Sequence, residues 1–223
     1  MMRDDYILNV CKNAKLASNV LSYLSSDRKN SVLEEISKNL RKRKIDILNA
    51  NTSDIKYAYS KKFDDAFIDR LTIKPTDIQS MRDGLAKIVQ IKDPIGNISS
   101  LTKQPSGIKV GKMRVPLGVI AIIYESRPNV TIDAGALCLK SGNAVILRGG
   151  AESISTNLVF RSIMSDSLRK LNLPLDCIQI IDKTERVYVE QLFKMNKYIN
   201  LLIPRGGKNL IKAVNKKSKI PIL

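Results

Sequence analysis

Histidine is missing from all 223 residues, and so is tryptophan. Without histidine there is no Ser-His-Asp or Cys-His arrangement, no HExxH metal site and no imidazole acid–base work. Cysteine is scarce: Cys11, Cys138 and Cys177 are too few and too scattered for a disulfide framework or a zinc site. Aromatic residues make up only 5% of the chain, so there is no ladder on which nucleic-acid bases could stack. Long apolar runs are missing too: Leu117–Tyr124 is far too short to cross a bilayer. Met1-Met2-Arg3-Asp4-Asp5 puts charge where a signal peptide would begin its apolar region, so the expected compartment is the cytoplasm, with no membrane partner. Chemistry is left to carboxylates, Lys, Tyr, Cys, backbone amides or a bound cofactor.

What is abundant is positive charge. Lys and Arg number 38 against 21 acids, a net +17. Such an excess attracts polyanions or phosphorylated ligands. The charges alternate with acids, however, as on solvated helix faces, so nucleic-acid binding is expected to be non-specific if it occurs at all.

Residues 4–91 read as helical. Val32, Leu33, Ile36, Leu40, Ile47 and Leu48 fall near a 3.6-residue spacing, with Ser25-Ser26-Asp27 as N-cap and Asn51-Thr52-Ser53-Asp54 as a second boundary. A further helix is expected at about 80–91, stopped by Asp93-Pro94-Ile95-Gly96-Asn97. Residues 108–116 alternate as a strand or hairpin should. Apolar strands and helices then take turns. Strands are expected at 119–123, 144–147, 178–181 and 198–203, and another begins at 220. Helices are expected at about 130–139, 152–171, from 185 and from 208. This pattern predicts an α/β fold: a Rossmann-like parallel sheet with helices on both faces, preceded by an N-terminal helical arm. The division is a helical region over 1–97 and a cofactor-binding α/β domain over 98–223.

Ligands of such sheets sit at the carboxyl ends of the strands. Leu147-Arg148-Gly149-Gly150-Ala151-Glu152 places a cation and two glycines between strand and helix, where amides can approach a phosphate. A plain tight turn with a solvated arginine reads equally well. Pro204-Arg205-Gly206-Gly207-Lys208 repeats the pattern at another strand end, and together the two turns favour a phosphate-bearing ligand. Tyr124-Glu125-Ser126-Arg127-Pro128-Asn129 follows the most apolar strand. Spacing alone makes Asn129 a helix N-cap, though its amide also suits an oxyanion contact. Glu125 reads as an ion-pair partner for Arg127, or as a general base if desolvated. Cys138, set among apolar residues in mid-helix, reads as inert packing.

Taken in order, several segments resemble γ-glutamyl phosphate reductase, of the aldehyde dehydrogenase superfamily. They are Val115-Pro116-Leu117-Gly118-Val119-Ile120, Tyr124 through Thr131, Cys138 through Gly150, and Ile203 through Lys208. Ile68-Asp69-Arg70-Leu71 and Asp93-Pro94-Ile95-Gly96 are similar in the helical region. The resemblance implies an aldehyde-dehydrogenase-like fold and NADPH-dependent reduction of L-glutamyl 5-phosphate to glutamate 5-semialdehyde in proline biosynthesis. It implies a cysteine thiolate that displaces phosphate to give a thioester, reduced by hydride from the nicotinamide. By position, Asn129 would hold the thioester oxygen, Arg148, Gly149 and Gly150 would lie on the adenosine phosphate side, and Pro204, Arg205, Gly206, Gly207 and Lys208 would flank the pyrophosphate or nicotinamide. Ser126 and Arg127 are assigned to the cofactor as well. The family's cysteine lies in a second domain beyond Leu223, so the fold is expected to be incomplete and the covalent step missing. Asn200 stands where the family usually has an aspartate. Three functions follow as expectations: a truncated, inactive reductase that keeps weak NADPH binding, as from a pseudogene; half of a split reductase with a separately encoded catalytic fragment; or a basic nucleic-acid-binding module.

Overall fold

The computed structural model describes residues 5–125 and 127–223. The charged start of the chain at 1–4 and the candidate Ser126 lie outside the described residues. Five helices come first: α1 (Tyr6–Ser22), α2 (Ser26–Lys42), α3 (Lys44–Ser60), α4 (Asp65–Leu71) and α5 (Pro75–Gln90). The caps explain several of the starts. Ser25 Oγ accepts the Arg28 N–H to open α2, and Asp64 Oδ1 accepts the Phe67 N–H at 2.6 Å to open α4. At α5, Pro75 sits in the first turn, where its missing N–H costs nothing, and Asp77 Oδ2 accepts the Lys74 N–H.

The helical spacing from Val32 to Leu48 is broken once, at Arg43, which joins α2 to α3 with non-helical φ and ψ. A one-residue break barely disturbs the apolar rhythm, so the periodicity ran straight through it. The boundary expected at 51–54 is not there. Asn51 and Asp54 are buried inside α3 and bond outward: Asn51 donates to the Leu71 carbonyl and accepts from the Ile73 N–H. Their polarity serves packing against neighbours rather than a turn.

A hairpin follows, β1 (Ile98–Lys103) antiparallel to β2 (Lys109–Met113), with every residue of both strands exposed. Then come β3 (Val119–Tyr124), α6 (Asn129–Lys140), β4 (Ala144–Arg148), α7 (Ile154–Lys170), β5 (Ile178–Ile180), α8 (Arg186–Leu192), β6 (Leu201–Arg205) and α9 (Lys208–Lys217). The four later strands form a parallel sheet in the order β5-β4-β3-β6. The strand expected from 198 begins at 201. The one expected at 220 is a single parallel bridge between Leu202 and Ile222.

Strand β3 is buried at every residue, as a central parallel strand covered on both faces must be. Its side chains alternate: Ile120, Ile122 and Tyr124 face α6, whereas Ile123 faces α8 and α9. One hydrophobic cluster runs from Ile7 and Ile36 through Ile122 and Ile146 to Ile220, joining the helical region to the sheet. Polar ties cross the same seam. Asp54 of α3 accepts the Ser155 and Thr156 N–H groups at 3.0 and 2.8 Å and the Thr156 hydroxyl, so a carboxylate from the arm caps α7. Asn200 Oδ1 accepts the Val119 N–H at 3.0 Å, an acceptor role that an amide fills as well as a carboxylate. No helix among the described residues is long and apolar enough to cross a membrane.

Candidate functional site

The chain runs β3, β4, β5 outward in one direction, then returns to place β6 on the other side of β3. The switch point therefore lies between the carboxyl ends of β3 and β6, where ligands of open α/β sheets bind. Register sets Ile123 beside Arg148 and Tyr124 beside Arg205, so both Arg-Gly-Gly turns emerge at the same end of the sheet.

They do not open into one cavity. Arg148, Gly150 and Glu152 line a cavity of about 450 Å³ closed by Thr184 and Arg186 on one side and Asn209 on the other. Arg205, Gly206 and Gly207 line a larger groove of about 880 Å³ on the opposite face, floored by Ile120, Ile122 and Ile203 and walled by α6. Glu125 lines both and spans the switch point. Its Oε2 accepts the Gly207 N–H at 2.9 Å, so the amide at the start of α9 already holds an anion. The expected Glu125–Arg127 ion pair is not formed, because that carboxylate is turned to the second turn instead. Pro204 is buried within β6, and Lys208 is exposed and borders neither cavity.

Arg148 is half-buried and donates to the Thr184 carbonyl at 2.8 Å, which fixes it across the mouth of the smaller cavity. Desolvation by burial lowers its pKa, against the raising effect of Glu152 and other neighbours. The turn behind it is held by a buried chain of hydroxyls and amides that the sequence did not announce. Tyr124 shares a hydrogen bond with Thr131 Oγ1, Thr131 also bonds Asn157 Oδ1, Asn157 donates to Ser153 Oγ, and Ser153 donates to the Gly150 carbonyl. Burial pushes the Tyr124 phenol well above its ordinary value, so it stays a neutral partner. At Gly149 a Cβ would stand 2.3 Å from Asn157 Nδ2, so the residue must be glycine for this network to close over the turn. The signal available in sequence was slight: Thr131, Ser153 and Asn157 are polar residues on faces that pack inward.

Asn129 is the first residue of α6 and is half-buried. It does not cap the helix. Pro128 occupies the N-cap without a side-chain bond, and the Asn129 amide lies 3.5 Å from Asp133 Oδ2 one turn on. Arg127 is exposed and borders both the apolar groove and a polar chamber beside it. All three thiols are buried, and desolvation pushes each up to about 12. Cys138 borders the apolar groove, yet at neutral pH it stays a thiol and a poor nucleophile.

No family model matches the chain. It is 47% identical over 219 residues to a γ-glutamyl phosphate reductase of Clostridium kluyveri, covering 98% of this chain and 52% of that protein. A γ-glutamyl phosphate reductase of Clostridium perfringens is 46% identical over 212 residues, 95% of this chain and 51% of its own. Among solved structures, the γ-glutamyl phosphate reductase of Thermotoga maritima superposes with a TM-score of 0.96 at 33% identity, covering 98% of this chain and 53% of that one. An acetylating aldehyde dehydrogenase of Geobacillus thermoglucosidasius, at TM-score 0.73 and 16% identity, shares the fold. The chain thus spans about half the length of the curated relatives it matches. Its resemblance to γ-glutamyl phosphate reductases holds in sequence and in structure, and its fold is aldehyde-dehydrogenase-like.

Proposed function

We propose that this γ-glutamyl-phosphate-reductase-like chain is the dinucleotide-binding part of such an enzyme, serving NADPH-dependent reduction of L-glutamyl 5-phosphate to L-glutamate 5-semialdehyde in proline biosynthesis. One observation carries this reading: the Arg148-Gly149-Gly150 turn, closed by a buried polar network, opens onto a 450 Å³ cavity beside Arg186. The residues fit an adenosine phosphate. Two guanidiniums and a glycine turn offer charge and backbone approach, shared on the same lining with Glu125, Glu152 and Glu190, and a nearby arginine is the feature that admits a 2′-phosphate. The rest of a dinucleotide would run past Glu125 toward Arg205, Gly206 and Gly207. Bound NADPH would supply the hydride. On the protein side, Asn129 would donate its amide to the acyl oxygen, and Arg127 would stand by the phosphate. Ser126 and Lys208 remain assigned to the cofactor by resemblance alone.

The covalent step needs a thiolate, and the three buried thiols of this chain do not offer one. The chain by itself therefore binds cofactor without turning substrate over. With acyl phosphate and NADPH, the purified chain is expected to leave the 340 nm absorbance unchanged beyond the blank. Turnover by the chain alone would contradict this.

A second reading has its own observation. The 880 Å³ groove exposes the apolar side chains of Leu137 and its neighbours on α6, and the matched relatives carry about as much chain again. In that reading a separately encoded catalytic fragment seats in the groove, making the chain half of a split reductase. Mixing the chain with the unmatched half of the Clostridium kluyveri relative tests it: restored turnover supports it, and no association contradicts it.

A further inference from the structure

Strand β5 ends at Ile180, and the backbone then runs through an exposed stretch, 183–185, into α8, whose first residue is Arg186. That stretch serves the smaller cavity twice: the Thr184 carbonyl accepts the Arg148 guanidinium at 2.8 Å, and Arg186 lines the wall. A short exposed loop opens readily, so it fixes a guanidinium only where its ends are held. Both ends reach one side chain, Tyr6, at the start of α1. Its hydroxyl donates to Asp182 Oδ1 at 2.9 Å and accepts the Asp182 N–H at 3.3 Å. Its ring stands edge-on to Tyr188, with ring centres 5.6 Å apart. The other carboxylate oxygen of Asp182 accepts Arg161 of α7 at 2.8 Å. Elements far apart in sequence thus meet at the entry to the loop. Tyr6 is not among the described residues that line the cavity, so its reach into that space passes through the loop.

We propose that Tyr6 is a positioning residue of the cofactor cavity: by holding Asp182 and Tyr188 it sets the Thr184 carbonyl and Arg186, and so fixes the guanidiniums of Arg148 and Arg186 for a nucleotide phosphate. This deepens the reductase reading and rests on it for the ligand. The chemistry of the bond suits a fixed anchor. Burial, with the Asp182 carboxylate beside it, pushes the Tyr6 phenol up to about 12, so it stays a donor across the neutral range. Burial acts to raise the Asp182 carboxyl, but the Tyr6 hydroxyl and Arg161 together hold it below its ordinary value, so the acceptor stays charged. A hydrogen bond to a carboxylate is stronger than one between neutral groups. A second tie joins α1 to the sheet: Gln179 Nε2 donates to the Val10 carbonyl at 2.8 Å, and it lies on β5, ahead of the loop. Breaking that tie loosens α1 without releasing the loop, which separates positioning from packing.

The test is fluorescence titration of the 223-residue chain and its variants with NADPH and NADH. Tyr6→Phe keeps the ring and removes the hydroxyl. It should weaken NADPH by about fivefold or more and NADH by less, because the guanidiniums it frees serve the extra phosphate. In an Arg148→Gln background the same substitution should lose most of its effect, since residues that act through one group are not additive. Gln179→Leu, the control, should lower the urea midpoint and leave the preference for NADPH unchanged. If Tyr6→Phe does not fold, Asp182→Ala, which removes the loop's side of the same bonds, carries the same expectation. An unchanged preference in Tyr6→Phe, an equal loss of preference in Gln179→Leu, or a full effect persisting without Arg148 would overturn the proposal. A parent chain that binds no NADPH would overturn the reductase reading and the proposal with it. A parent that binds NADPH no more tightly than Tyr6→Phe does would overturn the proposal alone.

Discussion

Single atoms decide much at the glycine turn. A methyl group at Gly149 would meet Asn157 Nδ2 at 2.3 Å, and that amide is buried and bonded on both sides. Gly149→Ala should therefore cost roughly 1–3 kcal/mol, by overpacking and a broken buried bond. At Gly150 the nearest atom is the carboxylate end of Glu152, a flexible side chain that can swing away. Gly150→Ala should stay within about 1 kcal/mol of the parent. Urea midpoints of the two variants check the contrast, and equal losses would contradict it. The thiols give a pH test. Their protons are held to about 12 in the folded chain, whereas an unfolded thiol ionises near ~8.5. The folded state then binds more protons than the unfolded one in that window, so stability is full below it and falls as pH rises from about 9 toward 12. Melting temperatures across that range should decline, and cysteine alkylation at pH 8 should wait for unfolding. The position of the two Arg-Gly-Gly turns at strand ends was legible, because each follows a short apolar run and precedes a helical stretch. The Glu125–Gly207 bond was not, because it joins residues 82 apart that only the crossover brings together.

Among elements, the parallel strands were the most readable, since continuous apolar runs of five or six residues have few homes other than a sheet covered on both faces. The break at Arg43 and the run of α3 through Asn51–Asp54 were hidden for opposite reasons. One hides within an intact apolar rhythm; the other shows polar residues whose partners lie about a hundred residues away in α7 or some twenty away after α4. Asp54→Asn leaves the shape of α3 but removes a charge from the start of α7. It should cost about 1–2 kcal/mol, read as a lower urea midpoint. A null effect would mean that the cap is ornamental. The hairpin behaves differently. Both its strands are exposed throughout, and a lone two-stranded ribbon is only marginally stable in water. Amides of β1 and β2 should exchange hydrogen far faster than those of β3 and β4; equal protection would show that the hairpin is covered in solution.

Over the whole molecule, the helical region and the sheet share one buried cluster, and α7 is capped from α3. The net charge of +17 does not concentrate at the candidate site: Arg148, Arg186 and Lys217 share the smaller cavity with Glu125, Glu152 and Glu190, and Arg205 shares the groove with Glu125 and Asp133. The central claim is that the smaller cavity holds the adenosine phosphate of NADPH. Its most direct test is a fluorescence titration of the purified chain with NADPH and with NADH, repeated for Arg148→Gln and for increasing salt. The account predicts saturable binding that prefers NADPH, weakens with salt, and drops by about tenfold or more in Arg148→Gln. No saturation at millimolar NADPH, or an affinity indifferent to Arg148, would contradict it.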